Sequence, residues 1–320
     1  MKAATYTRFG TPDVLHVKDI DQPVPADNEV LIQVHATTVS RTDCANISAR
    51  PFIMRFFIGF FRPKKQVPGT DFAGIVERVG EAVTAFKPGD HVFGFDDSIV
   101  SSQAEYMTIA QDGNLIQMPE GLSFEKAAAS CEAFHYAFNM IRKSGLEAGQ
   151  KVLVNGGTGA IGSAAIQIAK ALGAKVTAVG PTPHLEAVRN LGADKVIDYL
   201  TDDFTKHDGG YDFIFDAVGK SAFISCKHLL KPKGIYISSE LGWMLSNVFF
   251  AIVTPWFNKR KVLFPVPTDV KPSLNHAKKL IEEDAFTPLM DRSYPLDEIA
   301  EAYRYVGSGQ KIGNVINKVR

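Results

Sequence analysis

The sequence predicts an α/β protein with a β-rich first part and, after it, a parallel sheet covered by helices on both faces. Up to about residue 120, short apolar runs are separated by Pro, Gly and Asp turn signals. From about residue 123, short apolar strands alternate with helical periods, which is the rhythm of a parallel sheet. At 320 residues the chain is long for one hydrophobic core and comfortable for two.

Taken in order, residues 29–36, 74–79 and 105–109 read as strands. The turn Lys87-Pro-Gly-Asp feeds a further strand at 91–94. Several short strands at such spacing suggest a barrel or sandwich. Residues 124–144 have helical spacing and close at Gly145. Strands at 151–155, 175–179, 195–198, 213–216 and 234–238 then alternate with helices at 161–172, 185–191 and 221–230. A helix at 297–306 and a last strand at 311–319 close the chain, which shows no internal repeat.

Charge narrows the function classes. Lys+Arg and Asp+Glu number 35 each, so no net field recruits nucleic acid or anionic lipid, and only a local patch is left open. Cys44, Cys131 and Cys226 are scattered without CxxC spacing, which suits a reducing cytosol. The first residues lack the apolar core of a signal peptide. The greasiest stretch, 241–257, is interrupted by Gly242, Ser246, Asn247 and Pro255 and falls short of the ~20 residues of a membrane span. The expectation is a cytoplasmic protein without an integral membrane segment.

The most specific signal lies at 151–179. Gly157, Thr158, Gly159, Ala160, Ile161 and Gly162 spell GxGxxG directly after an apolar strand and at the mouth of a helix. In that context each glycine has a role: Gly157 for a tight turn, Gly159 for close approach of a pyrophosphate, and Gly162 for helix–strand packing. The pyrophosphate would sit on free N–H groups at the positive end of the helix dipole. An NAD site usually places an acid ~20 residues downstream to hold the ribose. Here Val179-Gly180 is followed by Pro181-Thr182-Pro183-His184, without an acid, and this favours NADP(H). Neither Arg nor Lys stands there. Thr182 could bond the phosphate, and His184 reads either as a further contact or as an exposed helix-start residue.

With these motifs in place, the chain resembles the medium-chain dehydrogenase/reductase superfamily, and within it the zinc-independent quinone oxidoreductase-like branch. The resemblance runs over nearly the whole length. It rests on PGTDFAG at 68–74, KPGD at 87–90, the glycine-rich 156–162, LGADKVIDY at 191–199, FDAVG at 215–219 and KIG at 311–313. It implies a GroES-like β-rich catalytic domain (1–122 and 267–320) around a Rossmann NADP(H)-binding domain (123–266), a homodimer, and further cofactor contacts. Tyr199 would lie beside the adenosine 2′-phosphate, Val218 and Gly219 would border the cofactor, and Ser238 and Ser239 would approach the nicotinamide. Tyr199 also reads as a packed strand-end aromatic, and Val218 as sheet core.

Zinc enzymes of the superfamily use a Cys, a His–Glu pair and a further Cys or Asp. The matching positions hold Ser40 and Thr70-Asp71, and hydroxyls in place of thiolate and imidazole do not build a tetrahedral zinc site. Cys131, near the third position, reads as a small buried apolar residue. Without a Lewis acid, alcohol oxidation is hard, whereas hydride addition to a quinone or an enone needs only hydrogen-bond donors at the developing oxyanion. The branch usually carries Asn where Ser40 stands. Ser40 could donate to a substrate carbonyl, and Asp43 either orients the following helix or acts as an acid.

Residues 50–66 carry five phenylalanines flanked by Arg and Lys. Three readings stay open: an aromatic lid over an apolar substrate with Phe52, Phe56, Phe57 and Phe60; a basic-aromatic membrane-surface patch; or a helix packed into the core. By the same resemblance, 241–257 would close the other side of the cleft and 261–266 would pair across a dimer. The expected function is NADPH-dependent reduction of a small apolar carbonyl or quinone. The alternatives are a zinc-type alcohol dehydrogenase and a non-catalytic NADPH-binding or sensor protein.

Overall fold

The computed structural model describes residues 1–96, 101–238, 240, 242, 245–257 and 259–320. The chain divides into two units. One, β-rich, takes residues 1–132, 270–279 and 289–320, and the other takes 133–269 and 280–288.

In the β-rich unit, β1 (Lys2–Thr5) and β2 (His16–Asp19) form an antiparallel pair. The 11-residue β3 (Glu29–Val39) leads into α1 (Arg41–Ser48) and a single turn, α2 (Arg55–Ile58). Then follow β4 (Asp71–Val79), β5 (His91–Phe95), β6 (Tyr106–Ala110), β7 (Leu115–Gln117) and α3 (Phe124–Ala129), before α4 (Glu132–Ser144). The other unit holds β8 (Lys151–Asn155), α5 (Ala160–Ala171), β9 (Lys175–Gly180), α6 (Leu185–Asn190), β10 (Lys195–Asp198), β11 (Tyr211–Asp216), α7 (Phe223–Cys226), β12 (Leu230–Ser238), α8 (Ser246–Phe257) and β13 (Lys261–Leu263). The chain closes through α9 (Val270–Glu282), β14 (Met290–Pro295), α10 (Ile299–Gly307) and β15 (Asn314–Lys318).

The β-rich sheet has the order β14-β15-β3-β4-β5-β7, with β6 also on β3. Because β3 is long, its first half pairs β4 and β6 while its end pairs β15. Val30, Ile32, Val34, Phe72, Val76 and Leu115 fill one core of this unit. A second core packs Val39, Ile47, Tyr303, Val306 and Val315 where α1 and α10 meet β15.

The second sheet runs β10-β9-β8-β11-β12-β13, with every pair parallel. From β8 the chain first builds outward through β9 and β10, then returns to lay β11 on the opposite side. The carboxyl ends of β8 and β11 therefore flank a topological switch point, where doubly wound sheets bind ligands. Leu153, Val179, Ile214, Tyr236 and Val262 form its core, and truncating a side chain such as Leu153 costs about 2–5 kcal/mol.

Two elements differ from expectation. The helix foreseen over 124–144 breaks into α3 and α4, because the Ser130 hydroxyl turns back onto the Lys126 carbonyl at 2.7 Å and Ser130 leaves helical geometry. The helix foreseen over 221–230 shrinks to α7 and one 3-10 turn, and β12 begins at Leu230 instead of 234. Among the described residues, no helix is long and apolar enough to cross a membrane.

Candidate active site: a glycine cradle and a buried acidic cluster

The chain turns sharply out of β8 at Gly156, which has φ +85°. A Cβ there would lie 2.3 Å from Val218 Cγ1. The tight-turn glycine is thus Gly156, one residue earlier than the sequence suggested. Gly157 has an ordinary φ and is restricted instead by packing, since its Cβ would meet Ala178 and Ile166 at 3.1 Å. Gly162 does have the packing role expected of it: an added Cβ would stand 2.1 Å from the Gly156 carbonyl oxygen.

Gly159 is the N-cap of α5 and offers no side-chain cap. A Cβ on it would meet no protein atom closer than 3.4 Å, so the space it leaves is open. The first intrahelical bond of α5 runs from Ser163 N to Gly159 O. The N–H groups of Ala160, Ile161 and Gly162 accordingly lack intrahelical acceptors. An open cradle over free N–H groups and a positive dipole end fits a dinucleotide pyrophosphate.

Across the switch point, Asp216 ends β11 fully buried. Its carboxylate accepts from the N–H groups of Val218 (3.3 Å), Gly219 (3.1 Å) and Ser221 (3.2 Å). It also accepts from Asn155 Nδ2 at 3.1 Å and Tyr236 Oη at 3.0 Å. This carboxylate fixes the turn that carries Val218 against the glycine loop. The FDAVG motif contains it, but nothing local in the sequence announces five donors. Ser238, at the end of β12, is buried and accepts from Glu240 N at 3.2 Å. Ser239 lies outside the described residues.

At the β9 end, Thr182 is exposed and donates to Asp198 Oδ2 at 2.5 Å. That hydrogen bond, chiefly, holds the Asp198 carboxyl below the usual carboxylate range. Asp198 therefore supplies an acid beside Thr182, where the residues immediately after β9 offer none. It arrives from β10, whose Asp198 pairs in register with Gly180. Tyr199 is 54% exposed, and its N–H bonds Gly180 O at 3.2 Å. It is not a packed core aromatic.

The β-rich unit contributes a different kind of site. Ser40 caps α1, with its Oγ accepting from Asp43 N (3.1 Å) while Asp43 Oδ2 accepts from Ser40 N (2.9 Å). This reciprocal capping box makes Asp43 a helix-orienting residue, and Asp43 is almost fully buried. Its Oδ1 has no hydrogen-bond partner. Burial, and then the neighbouring Glu132 and Asp71, push its carboxyl well above the ordinary range.

Asp71 is equally buried. It accepts from Thr38 N (2.7 Å), Thr38 Oγ1 (2.6 Å) and Thr37 Oγ1 (3.2 Å). Burial and Glu132 still outweigh those bonds and raise it to about 7. Glu132 accepts from Thr42 Oγ1 at 2.5 Å. The Thr70 hydroxyl is buried without a hydrogen-bond partner. Cys131 is buried, and burial together with Asp71 keeps its thiol well above its ordinary pKa. Among the described residues no group of three or more His, Cys, Asp and Glu could hold a metal ion.

Phe52 and Phe56, expected near substrate, are both exposed and stand edge to face with centroids 6.3 Å apart. The reading of this segment as a buried core helix is overturned.

A doubly wound domain with a glycine cradle, joined in one chain to a GroES-like domain, defines a nicotinamide-dependent oxidoreductase. A family model described as alcohol dehydrogenase GroES-like domain matches residues 26–120, and one described as zinc-binding dehydrogenase matches 191–316. The chain belongs to the medium-chain dehydrogenase/reductase superfamily, in its quinone oxidoreductase-like branch. A quinone oxidoreductase of Pongo abelii is 34% identical over 335 residues, covering 97% of this chain and 95% of that one. An NADPH-dependent alkenal/one oxidoreductase of Arabidopsis thaliana is 30% identical over 328 residues, covering 99% and 79%. The solved quinone oxidoreductase from Coxiella burnetii superposes with a TM-score of 0.89 at 27% identity, over 100% of this chain and 99% of that one.

Proposed function

We propose that the chain is a zinc-independent, NADPH-preferring reductase of quinones or α,β-unsaturated carbonyls, working as a cytoplasmic homodimer. The observation that carries the reading is the glycine cradle. Gly159 leaves open space over three free N–H groups, and Asp216 braces the adjoining turn. Domains at 1–122 with 267–320 and at 123–266 complete the proposal.

Gly157 to Gly162 would hold the pyrophosphate, Thr182 and Tyr199 the adenosine ribose, and Val218 and Ser238 the nicotinamide end. The dinucleotide supplies the hydride when bound. Ser40 has spent its oxygen on the Asp43 N–H but keeps its hydroxyl hydrogen, which can be donated to a substrate oxygen as negative charge develops there. Asp43 stiffens that hydroxyl through the capping box. At the zinc-ligand positions of the superfamily stand Ser40 and Thr70, and the Asp71 carboxylate is occupied by Thr37 and Thr38. Phe52 and Phe56 would form an aromatic rim for an apolar substrate. Relatives named quinone oxidoreductase and alkenal/one oxidoreductase support the substrate class. For the dimer, α8 offers an exposed apolar stripe of Phe249, Ile252 and Trp256.

One observation favours NADH as a second reading, because the Asp198 carboxylate beside Thr182 would repel a 2′-phosphate. The test follows loss of reduced-nicotinamide absorbance with 1,4-benzoquinone, 9,10-phenanthrenequinone and a small enone. It uses NADPH against NADH, with and without a chelator. Chelator-insensitive turnover that prefers NADPH is expected. Stoichiometric zinc needed for turnover would sink the metal-free mechanism, and tight binding without turnover on any carbonyl would point to a sensor.

A further inference from the structure

Between Asp43 and Asp71 the chain has no acidic residue, yet it carries Arg50, Arg55, Arg62, Lys64 and Lys65. Over the whole chain the charges balance, with 35 of each sign, so the remainder carries an excess of acid and the basic excess sits in this stretch. The same stretch holds Phe52, Phe56, Phe57, Phe60 and Phe61, which are 60%, 63%, 71%, 45% and 84% exposed. Charge and apolar exposure are concentrated together in a run of which the proposed substrate rim takes only Phe52 and Phe56, leaving Phe57, Phe60, Phe61 and the basic residues without a part in it.

The rings form one patch. Phe60 packs against Phe61 at 4.9 Å, Phe56 at 5.7 Å and Phe52 at 6.0 Å, in edge-on geometry throughout. The patch is anchored from below, where Ala49 and Ile58 are buried with Phe9 and Met54 packed on them. Arg55 ties the top to that base. Its guanidinium lies 5.3 Å from the Phe9 ring and 5.6 Å from the Phe52 ring, and it donates to the Phe60 carbonyl at 3.3 Å. Arg62, Lys64 and Lys65 are exposed on the same short segment. Arg8, beside Phe9, is exposed as well, while Asp13, the nearest acid along the chain, is engaged by Arg304 at 2.6 Å.

We propose that this basic-aromatic face, residues 50–65 with Arg8 and Phe9, docks peripherally on the surface of an anionic lipid bilayer. Clustered exposed aromatics mark a surface made to be covered. Rings on short turns reach the boundary between headgroups and acyl chains, and Lys and Arg around them match anionic headgroups. A second copy is a poor cover. A two-fold interface sets the patch against itself, bringing together ten cations from two 44–70 segments that contain no acidic residue. A bilayer rich in acidic lipid complements both properties at once. The docking is peripheral because no described helix can span a membrane.

The test is flotation of the full chain with large unilamellar vesicles, which reads binding without turnover and so stands apart from the reductase assay. Vesicles of phosphatidylcholine with one quarter phosphatidylglycerol should carry the protein up, vesicles of phosphatidylcholine alone should not, and added salt should weaken binding. Replacing Arg62, Lys64 and Lys65 with Glu should lower the partition constant by at least about fiftyfold, since each basic residue contributes roughly fivefold. Phe57→Ser with Phe61→Ser should lower it at least about tenfold. Both sets alter exposed side chains, and unchanged thermal melts establish that the variants are folded. With Phe61→Trp, contact with vesicles should shift the indole emission to the blue. Equal flotation with neutral and anionic vesicles overturns the proposal, as does undiminished binding by the Phe57/Phe61 variant. So does a dimer that these variants split in sedimentation while the parent ignores vesicles.

Discussion

The glycine cradle and the acidic cluster solve opposite problems. At 156–162 glycines leave bare backbone, where the proposed function seats a pyrophosphate, and the limits are steric: φ +85° at Gly156 and a 2.1 Å approach at Gly162. Around Asp43, Asp71 and Glu132 it gathers side chains, and the limits are electrostatic. Three carboxyls share a dry space where ionising one makes the next harder to ionise. The first arrangement is indifferent to pH, and the second is built on it.

The comparison breaks most readily at the glycines. Gly162→Val must push its side chain into the Gly156 carbonyl, and should lose about 3 kcal/mol of stability along with cofactor binding. Gly159→Ala makes only ordinary contacts, 3.4 Å from Gly156 O and 4.0 Å from Val218 Cγ1, so its melting temperature should hold while NADPH affinity falls about tenfold or more. Thermal melts paired with cofactor fluorescence titrations separate the two. Equal loss of stability in both variants would mean that the cradle is a packing feature and not a ligand site.

For the acidic cluster the lever is pH. The Asp71 carboxyl, about 7 in the folded chain against an ordinary 3.8, keeps its proton longer when folded. Its contribution to stability is complete below pH ~4 and is lost as pH rises through about 7. His135, pushed down to about 4 by burial, contributes the opposite slope in the lower part of that window. The quantity to read is therefore the difference between Asp71→Asn and the parent. Between pH 5 and 8 the variant should gain about 5 °C on the parent, then run parallel above it. Parallel curves throughout would show that Asp71 is ionised in the fold.

Cofactor choice sharpens the comparison at the edge of the cradle. Asp198→Asn removes a carboxylate while leaving an acceptor for Thr182. The ratio of kcat/KM for NADPH over NADH should rise about tenfold, as like charges are separated. No change in the ratio would place Asp198 away from the 2′ position.

How much of this the sequence discloses follows the same division. The cradle was legible because each glycine answers a backbone requirement set within a few residues, and even there the positive-φ turn moved by one position to Gly156. The parallel sheet was legible through continuous apolar runs such as the one at β8. Asp216 was visible only as part of a motif, since its five donors come from β8, β12 and the turn after β11. Asp198 hid because strand pairing, not sequence distance, brings it to Thr182. The acidic cluster draws on positions 43, 71 and 132, and no local pattern says that three such residues converge or that burial raises the carboxyls of Asp43 and Asp71. For the Phe-rich run, hydrophobicity alone could not separate core from surface, and it is the packing of Ala49 and Ile58 beneath it that leaves the rings outside.

The smallest expected effect concerns Ser40, which belongs to both kinds of chemistry. Its oxygen caps α1, and in the proposed function its hydrogen would be donated to substrate. Ser40→Ala should cost about 1 kcal/mol through loss of the cap and lower kcat/KM modestly, by about tenfold. Ser40→Asn separates these contributions, because Asn caps helices as well as Ser and also carries a donor. The Asn variant should recover the melting temperature fully and the turnover at least in large part. If it recovers stability while turnover stays at the Ala level, the hydroxyl itself is what the substrate oxygen meets. If Ala loses stability but no turnover, Ser40 serves the helix alone, and the donor to the developing oxyanion must be sought elsewhere.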